Sequence, residues 1–294
     1  MKKLGYHFSQ VLAFFWSFFP WWINIQSAKF LAFLWLDIFK IRKDIINNNL
    51  EIVFPRMSDV QKQSIAQKSM RALCRSFVDV LRIPYLTDEW INQNVIFDGT
   101  ENIKKIQQLD SGLFFLSLHL GSGDLGAAVF SQQIRPITII SKRIKNKFLD
   151  AFWFGLRKKS KSLFIDAHAK NNAFEILAAL KKKRGVIFVL DQFMGKPYGI
   201  ESQFFGVTTG TAYGLALFAK KTQLPIYPLY TYWDDHNKLH VCVDEAIDLR
   251  TELSENNEVI LKAMTNKFNQ TLEKIITRHP EHWMWVHKRW KIFL

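Results

Sequence analysis

The sequence predicts an α/β fold, a largely parallel central sheet flanked by helices, with an N-terminal membrane-associated helical segment. Three observations predict it. From Gly112 onward, short apolar runs alternate with helix-patterned segments, the order that builds a parallel sheet. The first hundred residues carry helical patterning instead. The chain also opens with an aromatic-rich stretch that holds no Asp, Glu, Lys or Arg from Leu4 to Ala28.

Residues 1–28 read as a membrane anchor or interfacial helix. A spanning helix needs about 20 mostly apolar residues. This stretch is long enough only if His7, Ser17, Pro20, Asn24 and Gln26 are tolerated, and Pro20 breaks or kinks a helix. An interfacial aromatic wedge is therefore set ahead of a clean span, with a buried core hairpin as the other arrangement. No small-residue cleavage site follows, so a removed signal peptide is not expected. Lys2, Lys3, Lys29, Arg42 and Lys43 flank the segment and would keep the body on the cytoplasmic side.

Residues 29–100 read as a helical region. Residues 29–53 are apolar along one face and stop at Pro55. Ser58-Asp59-Val60-Gln61 is a capping box that opens a helix to about Leu81, and Pro84 ends it. Residues 101–294 then form the α/β domain. Residues 112–118 are a buried strand, and a helix runs through Leu125–Phe130. Ile137–Ile140 is a strand, followed by a helix from Asn146 to Arg157, a short strand at Ser162–Ile165 and a helix at Asn172–Lys182. Gly185–Leu190 is a strand that ends at Asp191. A helix at Thr211–Lys220, a strand at Leu224–Tyr232, its hairpin partner at Lys238–Val243 and a long helix at Asn257–Arg278 complete the chain.

Composition narrows the function classes. A chain of 294 residues buries a full core. It is 48% hydrophobic and 15% aromatic, with 26 Phe and 10 Trp, and such rings favour membrane–water interfaces. The formal net charge of +14 attracts anionic lipid, nucleic acid or an acidic protein. No helix-turn-helix, RNP-type or zinc signature accompanies that charge, which argues against nucleic acid. Two cysteines, Cys74 and Cys242, make no disulfide framework and point to a reducing compartment. Eight histidines without zinc spacing predict no metal.

The chemistry concentrates at Leu113-Phe114-Phe115-Leu116-Ser117-Leu118-His119-Leu120-Gly121-Ser122-Gly123-Asp124. An apolar strand delivers His119 to its carboxyl end, where α/β proteins place ligands. Gly121 and Gly123 permit a tight turn, and Ser122 or Asp124 caps the next helix. Residues five apart cannot meet on one helix, but across a strand-turn-helix junction Asp124 can hold one imidazole nitrogen while the other faces substrate. No serine or cysteine nucleophile is paired with His119, so the substrate's own hydroxyl is the expected nucleophile. The other use of such a pair is a hydrogen-bonded structural histidine. Basic clusters at Lys142–Lys147 (with Lys142 and Arg143), Arg157–Lys161 and Lys181–Arg184 form either solvated faces or a rim toward a membrane or a carrier protein. Phe204-Phe205-Gly206-Val207-Thr208-Thr209-Gly210-Thr211 precedes a helix that Thr209 or Thr211 can cap, leaving N–H groups for a phosphate or an oxyanion.

The histidine, four residues and an acidic residue after an apolar strand resemble the glycerolipid and lysophospholipid acyltransferase superfamily. Taken with Asn49–Pro55, Asp191-Gln192, Phe204–Thr211 and Pro280-Glu281-His282-Trp283-Met284-Trp285-Val286-His287-Lys288-Arg289-Trp290, nearly the whole chain resembles the late acyltransferases of lipid A and lipopolysaccharide biosynthesis. The resemblance makes residues 101–294 a catalytic domain, His119 the base, Asp124 its partner and Arg157 a functional arginine. It makes Asp191 a further functional acidic residue and Gly206, Thr209 and Thr211 contacts to substrate, while the basic-rim reading makes Lys142 and Arg143 substrate contacts as well. It implies an acyl donor on acyl carrier protein or CoA, no cofactor, a lipid A precursor or anionic membrane lipid as partner, and a place on the cytoplasmic face of the bacterial inner membrane. Many lipid A members carry glutamate where Asp124 stands. Related membrane-glycolipid, amino-acid-lipid and polyene-pigment acyltransferases share this chemistry, and a non-catalytic basic membrane-binding protein is the reading of another class.

Overall fold

A computed structural model describes residues 1–158, 160–249 and 256–294. Nine strands occur among them: β1 (Val95–Asp98), β2 (Leu113–Ser117), β3 (Ile137–Ser141), β4 (Leu163–Asp166), β5 (Gly185–Val189), β6 (Gly199–Phe204), β7 (Val207–Ala212), β8 (Ile226–Trp233) and β9 (Leu239–Val243). Seven of them form one sheet in the spatial order β1-β9-β8-β2-β5-β3-β4, and β6 and β7 pair separately. From β8 through β4 every pairing is parallel; β9 runs antiparallel to β8, and β1 parallel to β9. The carboxyl ends of β2, β3, β4, β5 and β8 therefore share one edge.

The helices are α1 (Lys2–Ser17), α2 (Trp22–Phe33), α3 (Lys43–Val53), α4 (Asp59–Asp79), α5 (Asp88–Asn94), α6 (Thr100–Gln108), α7 (Gly123–Gln133), α8 (Lys147–Arg157), α9 (Asn172–Lys181), α10 (Gly214–Thr222) and α11 (Asn257–Arg278). They cover both faces of the sheet, which is why β2 reads as an unbroken apolar run. Phe114 and Leu116 face a core shared with α3, α4, α9, α10 and α11, while Leu113 and Phe115 face one shared with α6 and α7. The largely parallel sheet flanked by helices matches the expectation, as does α4, which opens on the reciprocal Ser58–Gln61 capping box.

Several elements differ from the expectation. The helix expected over 29–53 is broken: α2 runs into a wide turn at Leu34–Ile38, and Lys40 and Arg42 take positive φ before α3 begins. The region expected to be helical to residue 100 contributes β1, which pairs with β9. Thr211 lies in β7 and not in a helix; the next helix starts at Gly214, after Tyr213.

No helix among the described residues is long and apolar enough to cross a membrane. Residues 1–28 instead form α1 and most of α2, a hairpin packed onto the body. Helix α1 meets α8 at a glycine-mediated crossing. A Cβ on Gly5 would lie 2.3 Å from the Phe148 carbonyl oxygen, and one on Gly155 2.6 Å from Ser9 Oγ. Arg82 closes the hairpin's base, donating to the carbonyl oxygens of Phe19 (2.6 Å) and Pro20 (3.3 Å) and to Asn24 Oδ1 (3.3 Å). The outward face keeps Phe15, Phe18, Trp22 and Phe30 exposed.

Candidate active site

The site is built at the carboxyl edge, where β2 and β5 lie side by side. His119 follows β2 and Asp191 follows β5, so the pairing of these strands brings together residues 72 positions apart. His119 Nδ1 lies 2.8 Å from Asp191 Oδ1, and the His119 backbone N–H donates to Asp191 Oδ2 at 3.0 Å. Trp283 Nε1 donates to the same Oδ2 at 2.9 Å. The Asp191 carboxyl is buried, which raises its pKa, but the imidazole and these donors overcome that and hold it below the ordinary carboxylate range. An ionised carboxylate only accepts hydrogen bonds, so Nδ1 carries the proton and Nε2 presents a lone pair.

Dense surrounding protein disfavours the charged imidazole, yet Asp191 and then Asp124 reverse this against the opposing Arg157, and the His119 pKa is raised. The side chain keeps 44% of its surface exposed, enough for a substrate to reach it. No hydrogen bond to Nε2 forms among the described residues. Gln192 Nε2 lies 3.5 Å from Nδ1, beside the Asp191 contact.

The structure differs here from the sequence expectation. Asp124, in the first turn of α7, is ion-paired with the Arg157 guanidinium and makes no hydrogen bond to the imidazole. Spacing alone admitted both arrangements. Arg157, at the end of α8, is buried and outcompetes the imidazole as a full cation for the Asp124 carboxylate. Its guanidinium sits 5.0 Å from the Trp153 ring centroid, 5.2 Å from Phe164 and 5.4 Å from Phe154, and its Nε has no hydrogen-bond partner among the described residues. A second charged pair thus stands close enough for both members to act on His119 electrostatically.

Gly121 takes φ +58, and a Cβ there would lie 2.4 Å from the Thr231 carbonyl oxygen, so the turn after His119 demands glycine. Ser122 occupies the N-cap position of α7 without capping it. Its hydroxyl donates to the fully buried Asp79 at 2.6 Å and accepts from Trp233 Nε1 at 2.9 Å. Asp79 also accepts from Asn24 Nδ2 at 2.9 Å, which ties the N-terminal hairpin to the turn. The start of α7 keeps its N–H donors free of any side-chain cap.

Thr209 and Thr211 are closed off from solvent. Both are fully buried in β7, where the Thr211 hydroxyl accepts from Arg289 (2.6 Å) and Ser202 (2.8 Å), and the Thr209 hydroxyl donates to the Arg289 carbonyl oxygen (3.0 Å). Neither caps α10, whose N-cap is Tyr213 without a side-chain bond. Gly206, at φ +73, forms the β6–β7 turn with Phe205. Lys142 and Arg143 follow β3 on the site's edge, with β5 between them and β2. Arg143 pairs with Asp150 and lies 4.1 Å over the Phe154 ring, while Lys142 is exposed. Of the basic run Arg157–Lys161, Lys159 falls outside the described residues.

Sequence reasoning gave Trp283 only a packing role and missed His287 and Asn49. Residues 282–284 run beside the His119 turn: Gly121 N–H donates to the His282 carbonyl (3.0 Å), and Met284 N–H to the His119 carbonyl (3.1 Å). Buried Asn49 clamps this segment through the carbonyls of Trp285 (2.7 Å) and His287 (2.8 Å). His287 Nε2 accepts from the Phe193 N–H at 3.1 Å, and burial pushes its pKa down to about 4, so it stays neutral. Their signal lay in the blocks Asn49–Pro55 and Pro280–Trp290, whose local composition reads as core. Among the described residues, no three His, Cys, Asp or Glu side chains gather as a metal ion would require.

A family model described as bacterial lipid A biosynthesis acyltransferase matches residues 2–292. The chain is 24% identical over 256 residues to the lipid A biosynthesis palmitoleoyltransferase of Escherichia coli (strain K12), covering 86% of this chain and 79% of that protein. Against the lipid A biosynthesis lauroyltransferase of the same organism it is 24% identical over 265 residues, covering 89% and 83%. Against lipid A biosynthesis acyltransferase 2 of Shigella flexneri it is 22% identical over 242 residues, covering 82% and 74%.

Proposed function

The chain belongs to the bacterial lipid A biosynthesis acyltransferase family, and on that premise we propose that it moves a fatty acyl chain from an acyl carrier protein thioester to a hydroxyl of a lipid A precursor. One observation carries the mechanism: an ionised, buried Asp191 holds the Nδ1–H of a half-exposed His119, leaving the Nε2 lone pair for substrate.

Nε2 accepts the proton of the acceptor hydroxyl as its oxygen bonds to the thioester carbon. The imidazolium that forms is stabilised by Asp191. The tetrahedral oxyanion is met by the uncapped N–H groups of α7 or by Arg157, where one well-placed donor is worth about 3 kcal/mol. The carbon–sulfur bond then breaks, and the thiolate leaves with the proton returned by His119. No enzyme nucleophile is needed, so transfer runs through a ternary complex. Arg157, anchored by Asp124 and flanked by aromatic rings, holds a cationic guanidinium at the site.

We also place the protein on the cytoplasmic face of the inner membrane. The outward face of α1 and α2 leaves Phe15, Phe18, Trp22 and Phe30 in solvent, an apolar surface suited to a lipid interface. The net charge of +14 favours anionic lipid and an acidic carrier protein. The test is mass spectrometry of a lipid A precursor incubated with acyl carrier protein thioesters and the detergent-solubilised protein. A product heavier by one acyl chain supports the reading. Thioester hydrolysis without acceptor gain rejects the lipid A precursor, and no turnover rejects the donor.

A further inference from the structure

A recess of about 580 Å3 opens beside the site between α2, α4 and the turn at Pro280–His282. Lys68, Arg71 and Arg75 lie three and four residues apart on α4 and so share one face, and Lys29 approaches from α2. Lys29, Lys68 and Arg71 are exposed, and their side chains make no hydrogen bond or ion pair among the described residues. Arg75 forms the back wall. It is buried, with its guanidinium 3.4 Å over the Trp233 ring and one nitrogen donating to Asn237 Oδ1 at 3.0 Å. Its Nε makes no hydrogen bond and lies 3.7 Å from Asp79 Oδ2.

Three carboxylates also line the recess, and two are engaged. Asp234 accepts from the Lys238 N–H at 2.7 Å and lies 3.4 Å from His240 Nε2, while Glu281 lies 3.7 Å from His282 Nε2. The neutral His282 does not offset Glu281, so three carboxylates face the four cations Lys29, Lys68, Arg71 and Arg75. His282 reports the local field: burial, helped by His279, Arg75 and Lys68, pushes its pKa down to about 4, so it adds no charge of its own.

The recess wall is continuous with the catalytic turn, because the His282 carbonyl takes the Gly121 N–H and Leu120 bridges to Trp283. We infer that this recess binds a phosphate group carried by the acceptor lipid and thereby selects which hydroxyl reaches His119. Several cations on flexible stems around a wide opening suit a phosphate, which offers more acceptor oxygens than a carboxylate. The acceptor, more than the phosphodiester of the donor's arm, fits the location. Lys29 adjoins the exposed Phe30 on the helix that begins with exposed Trp22, so the recess opens at the level where a lipid headgroup meets water.

The inference rests on the acyl-transfer reading, and its test is built so that the two fail separately. Lys68→Ala/Arg71→Ala removes two exposed, unpaired side chains, and circular dichroism and Tm should match wild type. Glucosamine 1-phosphate, a soluble sugar phosphate, should bind the full chain by 31P line broadening, and the double variant should bind it about tenfold more weakly or worse. In transfer assays, KM for the phosphorylated acceptor should rise about tenfold, while kcat and KM for the acyl carrier protein thioester stay within about threefold. Equal binding of glucosamine 1-phosphate by variant and wild type overturns the inference. So does a rise confined to the donor KM, which would assign the recess to the donor's phosphodiester. If wild type transfers nothing to a lipid A precursor, the acyl-transfer reading fails and the 31P titration still decides the recess.

Discussion

Asp191→Asn separates the observed arrangement from the one that spacing suggested. Asp191 is 1% exposed and accepts three hydrogen bonds, from His119 Nδ1 (2.8 Å), the His119 backbone (3.0 Å) and Trp283 (2.9 Å). With its single carbonyl kept on the two N–H donors at Oδ2, the amide NH2 faces Nδ1. The imidazole then carries its proton on Nε2, the nitrogen that must accept from the substrate. Wrong-tautomer substitutions of this kind cost about 10^3–10^4 in kcat, roughly 4–5.5 kcal/mol of barrier. The pH profile gives the second readout. A general base works as the neutral ring, so wild-type activity climbs as pH rises through the raised His119 pKa, above the ordinary 6.5. Burial pulls that pKa down and Asp191 chiefly lifts it, so removing the carboxylate moves the acidic limb to lower pH. Stability follows the same pair. The raised His119 contributes below its ordinary 6.5 and loses that as pH rises through the folded value, whereas the depressed Asp191 contributes above its ordinary 3.8 and loses that as pH falls through its folded value. The variant's deficit in urea denaturation is therefore largest between 3.8 and 6.5. Steady-state kcat from pH 5 to 9, roughly the range an imidazole base spans, is the assay. A kcat within about threefold of wild type with an unmoved acidic limb, alongside loss of activity in Asp124→Asn, would refute the reasoning.

Thr211→Val removes the acceptor of one Arg289 nitrogen and one partner of Asn269, which keep Gly210 and Gln203 respectively, and should cost about 1–3 kcal/mol in urea denaturation, with acceptor KM unchanged; a raised KM at full stability would return Thr211 to substrate contact. Gly121→Ala meets φ +58 and a 2.4 Å approach to the Thr231 carbonyl, so it should lose about 1–2 kcal/mol from the backbone alone and reduce kcat by displacing His119; unchanged Tm and kcat would contradict this. Replacing Phe15, Phe18 and Trp22 together with serine removes about 1 kcal/mol of interfacial burial per half-exposed ring. Affinity for anionic vesicles in sedimentation should then fall about a hundredfold, and equal binding would reject the interfacial face.

What the sequence made legible was local. The strands at residues 113–117, 137–141 and 185–189 announce themselves because both faces are buried and the runs end at turns. The long C-terminal helix, Asn257–Arg278, and the capping box at Ser58 follow from periodicity and side-chain chemistry within a few residues. His119 stood out for the same reason, at a strand end before a glycine turn. Its partner did not, because strand order decides it: Asp191 meets His119 only once residues 185–189 lie beside residues 113–117. Asp124 is nearer in sequence but is taken by Arg157, itself presented by a different helix. The hairpin at 199–212 was hidden by its polar residues. Ser202, Thr209 and Thr211 look like loop chemistry until Arg289, some 80 residues away, fills the core beneath them. The aromatic N-terminus has the composition of a membrane segment, yet Asn24 and the carbonyls of Phe19 and Pro20 bind it to Asp79 and Arg82.

The most direct test of the central claim is His119→Ala in the transfer assay, with acyl carrier protein thioester and lipid A precursor saturating and product mass as the readout. The account predicts a kcat lower by about 10^2–10^4, with the fold and vesicle binding kept and Tm lowered only by loss of the His119–Asp191 pair. A variant that still transfers the acyl chain at the wild-type rate would contradict it.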